Sequence, residues 1–474
     1  MRNWNWALAT AAVLASGTTL AAAPASEAAK LGKELTPVGA IQAGNAEGTI
    51  PAWQGQELFT PEQTDLSRAQ LEEWRKSDPA KIRNLVYSEL KKHEDELGGD
   101  VTQPMFTITA DNMAEHADKL TEGHKAMFEK YPDTYKMPVY RSVRTAFFPE
   151  EIYEATIKNA TSATLNGTDD VDGARLGFPF PIPQNGAEAI WNHKLKFRGS
   201  AVKRFNNQAI VKPDGDFKIS KLIEDVKFKY GNLEEPGGTS LLAYYLSEVI
   251  EPARVAGQLT LVHETADEGD GGRLAWIYNP GLGRVNRAPD VGYDNPYIGT
   301  DGEQFSDQVD VFNGALNRYN WKLVGRKEMY IPYHSYEINS PEHKYTDLIR
   351  PGHLNQDLAR YELHRVWIIE ATLRDGTRHQ FKTRRFYQDE DSWSIAVVDN
   401  YDNRDELWKV QEAHLITLPF IPTVTGAPET IYDLQTGRYF LTALTNEDET
   451  SDFEVEYKDS YFTPANLKRK ARRR

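Results

Sequence analysis

The segment from Arg360 to Tyr401 constrains the fold more than any other part of the chain. Between Glu362 and Arg374, apolar side chains dominate the odd positions, while the even positions mix charge with valine and isoleucine. This alternation is typical of a β-strand that turns one face toward a core. Asp375-Gly376 then predicts a tight hairpin turn, because both residue types tolerate positive φ. Return strands are predicted at Thr377–Tyr387 and Trp393–Asp399.

Helical patterns occupy the first third of the chain, and strand patterns follow. The predicted helices are Glu27–Leu35, Leu66–Trp74, Ala80–Leu90, Thr109–Tyr131, Pro149–Ala163 and Ala187–Leu195, with Thr60-Pro61 as a further helix start. The other predicted strands are Ala201–Val211, Phe217–Phe228, Leu241–Ile250, Gln258–Glu264, Arg273–Asn279, Tyr319–Pro332, Asp405–Glu412 and Glu429–Leu444. Because the helices precede the strands and do not alternate with them, we predict an α+β fold with a large antiparallel sheet.

A proline-rich segment joins the two parts. Pro179, Pro181 and Pro183 impose an extended, polyproline-like path. One interpretation is a rigid connector that lays Phe178 and Phe180 on the core. The other is direct contact of these two rings with a ligand.

Residues 1–25 are predicted to be a secretory signal. Arg2 precedes an uncharged run of small apolar residues from Ala7 to Ala23, and Ala23-Pro24-Ala25 resembles a cleavage site. The chain has no cysteine, which excludes disulfides and a cysteine-linked lipid anchor. No later run has the length and apolarity of a membrane span. We therefore expect a soluble periplasmic protein of a Gram-negative cell, cleaved near Ala25 and not lipidated.

Charge and pattern together suggest a domain organisation. The net charge is −15, which argues against a nucleic-acid partner because phosphate contacts need a basic surface. After the signal we predict a helical region at 26–198 that packs on the sheet, a curved β domain at 199–462 and a basic tail at 463–474. The tail is expected to be solvated, with contact to anionic lipid as the alternative.

Motifs for catalysis are few. The chain has no Gly-x-Ser-x-Gly elbow, His-Glu-x-x-His helix, P-loop or dinucleotide fingerprint. The acidic run Asp389–Asp391, with Asp399 and Asp402 nearby, has two interpretations: ligands for Ca²⁺, or a turn whose acids pair with Arg384 and Arg385. Because the spacing of a calcium loop is missing, we favour the turn.

Three histidines lie near the same strands. His364 and His379 flank the predicted hairpin at nearly mirror-related positions, where they could meet across it, and His353 lies upstream. Two histidines without a third ligand do not make a metal site. We therefore predict neither a metal nor another cofactor.

A basic hairpin offers a candidate polar contact. Tyr278–Pro289 predicts a strand, a tight turn and a basic strand that carries Arg284 and Arg287. In one interpretation these arginines hold an anionic headgroup. In the other they form salt bridges with Asp290 or Asp294.

Several phrases together resemble one protein family over nearly the whole mature chain. They are Lys33–Ala40, Gly44–Trp53, Phe178–Pro183, Trp191–His193, Trp276–Pro280, Phe312–Ala315, Arg360–Trp367 and Asp389–Trp393. The set resembles the bacterial domain-of-unknown-function family 1329. One departure is visible, because Gly283-Arg284 stands where two adjacent arginines are expected. The family has no agreed catalytic residues, so none is assigned here.

The resemblance implies a fold and a function. The family is similar to Lol-type lipoprotein carriers, in which a strongly curved sheet forms an incomplete barrel that helices close over an apolar cavity. The resemblance also implies that the protein functions together with a resistance-nodulation-division (MMPL-like) transporter and an outer-membrane protein. On this basis we expect a periplasmic carrier of a hydrophobic or lipid-like ligand. Aromatic and apolar side chains are expected to line its cavity: Phe178, Phe180, Trp191, Trp276, Tyr278, Trp321, Trp367, Ile369, Phe381, Trp393 and Trp408.

Two alternatives to a carrier stay open. A structural adaptor of an envelope transport complex would show a sizeable exposed apolar patch and no internal cavity. A periplasmic hydrolase would bring acids such as Asp391 and Asp399 together with a histidine in one cleft.

Overall fold

One large curved sheet forms the body of the molecule. The computed structural model describes residues 19–20, 22–266, 272–288, 293–297 and 299–472, so most of the predicted signal segment lies outside the described residues. The strands are β1 (Thr19–Leu20), β2 (Phe106–Ile108), β3 (Met137–Tyr140), β4 (Thr164–Asn166), β5 (Asp170–Asp172), β6 (Ala201–Phe205), β7 (Asn207–Val211), β8 (Phe217–Phe228), β9 (Ala243–Glu251), β10 (Leu259–Glu264), β11 (Leu274–Asn279), β12 (Arg284–Arg287), β13 (Tyr319–Pro332), β14 (Tyr361–Leu373), β15 (Thr383–Asp389), β16 (Ile395–Tyr401), β17 (Leu407–Leu418), β18 (Thr423–Asp433) and β19 (Tyr439–Leu444).

The strand order leaves the sheet open. It runs β12-β11-β10-β9-β8-β7-β19-β18-β17-β16-β15-β14-β3-β2, with β13 also on β14 and β6 also on β8, which makes 16 strands. Among these strands the pairings are antiparallel except for β3 with β14. Strands β1, β4 and β5 form a separate three-stranded sheet. The predicted α+β class, with an incomplete barrel and helices against it, is confirmed.

The helices lie mainly in the first part of the chain. They are α1 (Ala25–Ala28), α2 (Pro61–Thr64), α3 (Arg68–Ser77), α4 (Ala80–Lys92), α5 (Glu94–Leu97), α6 (Glu122–Lys130), α7 (Glu150–Ser162), α8 (Gly186–Lys194), α9 (Tyr345–Leu348) and α10 (Pro464–Arg472), with 3₁₀ turns at Gly55–Leu58, Met113–Lys119, Ser306–Gln308 and Asp459–Tyr461. Within the described ranges, none of these helices has the length and apolarity that a membrane crossing requires.

Strand β14 is buried on both faces near its start, although its sequence alternates. Glu362 and His364, on the polar face, are 0% and 1% exposed. Segments on either side of the sheet cover this face: Glu362 accepts a hydrogen bond from the amide of Val143 at 3.0 Å, and the ring of His364 stacks on that of Tyr333 at a centroid distance of 4.1 Å. A second protein layer therefore replaces solvent on the side that the pattern marks as polar.

The predicted tight hairpin is wider than expected. The turn lies at Asp375-Gly376, where Gly376 has φ +79°, but β15 begins only at Thr383. The connection folds back on the residue that precedes β13, because the amide of Arg374 and the hydroxyl of Thr377 both donate to the carbonyl of Arg318. Phe381 in the same connection is fully buried, and pairing with β14 begins only at Thr383.

The predicted long helix at 109–131 is interrupted. The structure has a 3₁₀ turn at Met113–Lys119 and then α6, which begins at Glu122. Thr121 is the N-cap of α6, with its side chain accepting a hydrogen bond from the amide of His124 at 3.0 Å. A capping threonine in extended conformation restarts the helix, and the apolar spacing alone does not reveal the break.

The basic C-terminus forms a helix against the sheet rather than a solvated tail over its described part. Phe462 and Leu467 are fully buried in a cluster with β9, β10 and β11. Lys470 forms ion pairs with Asp225 at 3.2 Å and Glu248 at 3.4 Å. Burial of Phe462 and Leu467 therefore attaches this segment to the sheet, although most of its other side chains are basic.

Candidate functional site

An apolar cavity lies between helices α3–α4 and the sheet. It has a cavity volume of about 180 Å³ and is partly open to solvent. We call it cavity 1. Its apolar lining consists of Leu71, Ile82, Leu85, Val202, Phe205, Phe228, Tyr336, Pro341, Ile416, Leu418, Phe420, Ala427, Ala443 and Phe453. Strands β6, β8, β17, β18 and β19 supply the floor, and α3 and α4 supply the cover.

Local sequence explains how the cover is held. Ser67 caps α3, and Gln70 completes a capping box with it. Polar contacts join α3 to the segment before α10: the amide of Arg68 donates to Glu454 at 2.7 Å, and Glu72 accepts from the amide of Thr450 at 2.9 Å. On α4, Arg83 pairs with Glu337 at 2.9 Å and with Glu342 at 2.7 Å, so both helices of the cover are tied to the rest of the chain.

A second, more polar cavity adjoins the first. This cavity 2 has a volume of about 180 Å³ and is also partly open to solvent. Six residues line both cavities and define the junction between them: Arg198, Arg204, Phe228, Thr425, Gly426 and Ala443. The two cavities are therefore adjacent, with a more apolar lining in cavity 1 and a more charged lining in cavity 2.

Strand alternation places cavity 2 on one face of the sheet and α10 on the other. Glu224 and Val226 line cavity 2. Asp225, between them, points away and accepts hydrogen bonds from the hydroxyls of Tyr457 and Tyr461 at 2.7 and 2.6 Å. The period of two thus separates a ligand-accessible face from a structural face.

A charged cluster forms one wall of cavity 2. Lys196 lies 3.1 Å from Asp310, and Arg198 contacts the other oxygen of the same carboxylate. Burial opposes ionisation of Asp310, but Arg198 and Lys196 outweigh it and hold its pKa well below the usual range. Burial lowers the pKa of Lys196 to about 8, against the opposing pull of Asp310. Burial and Lys196 lower the pKa of His193 to about 3, so this histidine is neutral at physiological pH.

Glu429 completes this cluster in an unusual protonation state. Burial, and then repulsion from Asp310, raises its pKa to about 8. One of its oxygens accepts a hydrogen bond from the amide of Val311 at 3.1 Å. At pH 7 the group is therefore mostly a neutral carboxylic acid that can donate a hydrogen bond.

Most residues predicted to line the cavity lie in cores instead. Phe178, Phe180, Trp191, Ile369 and Trp393 belong to the largest apolar cluster, against which Trp321 and Trp367 pack. Phe381 is also fully buried, and Trp408 lies against its ring at 5.5 Å. The linings of cavities 1 and 2 include none of the eleven, whereas Trp367 lines a third cavity beside the N-terminal loop. Their contact with a ligand stays a prediction.

The basic hairpin forms one edge of the sheet and lies outside the cavity linings. Trp276 and Tyr278 pack in the cluster beneath α10. Arg284 and Arg287 are exposed on β12, at the end of the sheet order, and do not line the three cavities. Of their suggested partners, Asp290 lies outside the described residues, and Asp294 pairs with Arg318 at 2.7 Å. The anion-contact hypothesis for this hairpin stays untested.

The acidic turn at Asp389–Asp391 is buried, and it pairs with other arginines than predicted. Both oxygens of Asp391 accept from Arg144, at 2.8 and 2.6 Å. Glu390 lies near Arg326 at 3.3 Å and Arg365 at 3.4 Å. The predicted partners pair elsewhere: Arg384 contacts Asp307, and Arg385 lies 3.2 Å from Glu370. The turn bends toward the N-terminal loop, which brings Arg144 to it from a distant part of the chain.

The predicted meeting of histidines does not occur. His379 lies 3.0 Å from Asp307, whereas His364 lies 3.3 Å from Glu362, because the wide connection carries His379 away from β14. His353 binds the hydroxyl of Thr134 at 3.0 Å. The three rings therefore serve three separate polar networks.

One triad has the composition of a metal site. Ligand atoms of His364, Asp389 and Asp391 lie within 4.8 Å of one another. Burial works against a charged Asp391, but Arg144 outweighs it and lowers the pKa of Asp391. Since the guanidinium takes both oxygens of Asp391, it occupies the place that a cation would need. The arrangement is a closed ion-pair network.

Sequence inspection missed the residues that line the cavities. The helical spacing of α3 and α4 was visible, but nothing in it shows that Leu71 and Leu85 face a void and not a core. Nothing in the local sequence marks the charged residues Lys196, Arg198 and Glu429 as positions that line a cavity. Their burial depends on strands that are distant in sequence.

Comparison with known proteins places the chain in context. A family model described as "Protein of unknown function (DUF1329)" matches residues 107–468. An uncharacterized protein of Pseudomonas aeruginosa is 44% identical over 458 residues, which cover 95% of this chain and 94% of that protein. The family resemblance read from the sequence is thereby confirmed.

Solved structures show weaker similarity. A DUF1329 family protein from Desulfovibrio piger has 16% identity and a TM-score of 0.41, covering 59% of this chain and 95% of its own. A putative outer membrane lipoprotein-sorting protein domain from Vibrio parahaemolyticus has 15% identity and a TM-score of 0.42, covering 60% and 98%. A LolA superfamily protein from Nitrosomonas europaea has 12% identity and a TM-score of 0.36, covering 59% and 98%. No site residue is transferred from these structures.

Proposed function

This chain belongs to the DUF1329 family, and from that premise we propose that it is a carrier that encloses the apolar part of a lipid-like molecule in cavity 1. The observation that carries the proposal is the apolar lining of a cavity of about 180 Å³ between a helical cover and the open sheet. Burial of an alkyl chain contributes about 0.8 kcal/mol per CH₂. A long chain therefore binds there without a catalytic or metal centre.

The adaptor alternative has less support. It calls for a large exposed apolar patch, but the large apolar residues exposed within the described chain are Met105, Ile157, Leu282 and Val324, which are far apart in sequence. Single exposed apolar residues are ordinary on soluble proteins. A cavity with an apolar lining favours a carrier.

The hydrolase alternative also has less support. His364 does approach Asp389 and Asp391, but these groups are buried and do not line the three cavities. Asp399, the other suggested acid, accepts hydrogen bonds from the amide of Gly123 at 3.0 Å and the hydroxyl of Tyr387 at 3.1 Å. A substrate in the cavities would not reach these acids.

Location and partners are part of the same proposal. We place the carrier in the periplasm on the strength of the predicted signal at residues 1–25. A transporter of the resistance-nodulation-division type and an outer-membrane protein are proposed as its partners because of the family resemblance.

A substitution that fills cavity 1 tests the proposal. Leu418 lines this cavity, and Leu418→Trp would occupy space that the apolar chain needs. We expect lipid extraction and mass spectrometry to find bound lipid in the wild type and at least about tenfold less in the variant. The matched control is Leu282→Trp, since Leu282 is 60% exposed and outside cavity 1.

Two outcomes of these measurements would contradict the proposal. Wild-type protein that carries no lipid and binds no fluorescent fatty acid would exclude a carrier. Equal lipid content in the two tryptophan variants would place the ligand outside cavity 1.

A further inference from the structure

We propose that the junction of the two cavities is an anion-binding site, at which Arg198 and Arg204 hold the carboxylate or phosphate headgroup of an amphiphile. The apolar tail of this amphiphile fills cavity 1. The inference rests on the proposed function and adds the chemical class of the ligand.

The position of the two arginines is the first observation. Arg198 and Arg204 line both cavities. On one side of them lie the apolar walls of cavity 1, and on the other the polar walls of cavity 2. An amphiphile that spans the site would place its first polar group between these guanidinium groups, which match carboxylate and phosphate oxygens.

The arginines are held in place and are partly open to the site. Arg204 lies 2.9 Å from Glu224, and its side chain is 38% exposed. Arg198 donates to the carbonyl of Lys194 at 3.1 Å, and its side chain is 25% exposed. Its guanidinium lies 6.0 Å from the ring centre of Phe228, which lines the junction. These contacts fix the positions of the guanidinium groups and leave part of each accessible.

The charge of cavity 2 is the second observation. Its lining contains five basic side chains, Lys194, Lys196, Arg198, Arg204 and Arg273, and four acidic ones, Glu224, Glu264, Asp310 and Glu429. Glu429 is mostly protonated at pH 7, because its pKa is about 8. Three carboxylates then face five cations, and this excess of positive charge favours an anionic group in a site with little water.

The arrangement around Asp310 makes the excess local. Lys196 and Arg198 share this one carboxylate. Glu429, which faces the same cluster, is neutral and can donate a hydrogen bond to an anion. The wall beside the junction therefore has two cations, one anion and a neutral donor.

A pair of matched probes tests the inference on the purified chain. Dansyl-undecanoic acid and its methyl ester share the tail and differ in headgroup charge. We expect the acid to bind at least about tenfold more tightly than the ester, which is the effect on Kd that a hydrogen bond to a charged group produces. Its affinity should also fall with added NaCl, whereas that of the ester should not.

Arg198→Gln isolates the contribution of the site. Asp310 keeps Lys196 as a partner in this variant, so no buried carboxylate is left unpaired. We expect the acid to lose most of its advantage while the ester binds as before. Arg198→Lys should retain part of the preference. Arg404→Gln is the surface control, because the side chain of Arg404 is 66% exposed and pairs with Asp402.

The possible failures are distinguishable. If both probes bind wild type equally and without salt dependence, the anion site is excluded while the carrier function stands. If neither probe binds, the carrier function fails and the anion site with it. If Arg198→Gln fails to fold, the acid-to-ester ratio and the salt dependence of wild type decide the question alone.

Discussion

At the scale of single residues, buried charge distinguishes this protein from a plain apolar carrier. Arg144 and Arg384 are 1% and 0% exposed, and each contacts a buried aspartate. A buried charge without a partner costs several kcal/mol, so these pairs oblige the segments that carry them to stay together. For Arg144 the contact joins the acidic turn to the N-terminal loop, since its guanidinium also donates to the carbonyl of Ile41 at 2.8 Å.

The raised pKa of Glu429 leads to a prediction about how the stability of the protein depends on pH. The group faces Asp310, Lys196 and Arg204, and its pKa rises from 4.5 to about 8 on folding. Between these values the folded state holds a proton that the unfolded state releases, so stability falls as pH rises through this window. Glu429→Gln removes this contribution, which has a slope of at most about 1.4 kcal/mol per pH unit.

Urea unfolding at about pH 5, 6.5 and 8 checks this expectation. The free energy of unfolding should fall less steeply with pH in Glu429→Gln than in wild type. Glu406→Gln is the control, because the side chain of Glu406 is 61% exposed. Parallel pH profiles for wild type and Glu429→Gln would show that Glu429 ionises normally in the folded chain.

At the scale of elements, helix α10 shows that a single buried leucine can hold a basic helix on the sheet. Its sequence is rich in lysine and arginine, yet Leu467 is fully buried against the sheet. The helix covers the face of β9–β11 that is opposite to cavity 2. Helix α10 therefore forms a second layer on the outer strands of the open sheet. The other face of these strands forms part of the wall of cavity 2.

Truncating Leu467 tests this role. Leu467→Ala should destabilise the packing of α10 by about 2–3 kcal/mol, at the low end of large-to-small core changes because the cluster is small. Trypsin should then cleave within α10 faster than in wild type. Lys468→Ala, on the exposed face of the same helix, should change stability by less than about 0.5 kcal/mol. Unchanged cleavage in Leu467→Ala would mean that α10 does not depend on this contact.

Element positions were largely predictable from the sequence. Strands β8 and β13 match the predicted ranges, and β14 differs from its pattern by a residue at each end. The errors fall where tertiary contacts override local pattern, as in the wide connection between β14 and β15. There the amide of Arg374 hydrogen-bonds the carbonyl of Arg318 and not a hairpin partner.

At the scale of the whole molecule, the site exists only because distant segments meet. Cavity 1 takes its cover from α3 and α4, its floor from five strands and part of its rim from residues 445–453. Ligand binding should therefore stabilise the entire assembly.

Thermal unfolding measures this coupling. At a free probe concentration one hundred times Kd, dansyl-undecanoic acid should stabilise the folded chain by about 2.7 kcal/mol and raise Tm accordingly. Leu418→Trp, with cavity 1 filled, should show little shift. An equal shift in this variant would show that the stabilising site is elsewhere.

The sequence by itself determined the fold class and most of the strands, because period-two patterning and short-range turn chemistry are local properties, and the resemblance of several phrases indicated the family. It also indicated an exported carrier without a catalytic motif. Only the tertiary structure decided which surfaces are core and which line a void. Trp393 is fully buried in the core, whereas Leu418 lines cavity 1, and both stand in similar apolar patterns. Burial depends on what packs against a side chain, and for this open sheet the partners come from helices, loops and strands far away in the chain.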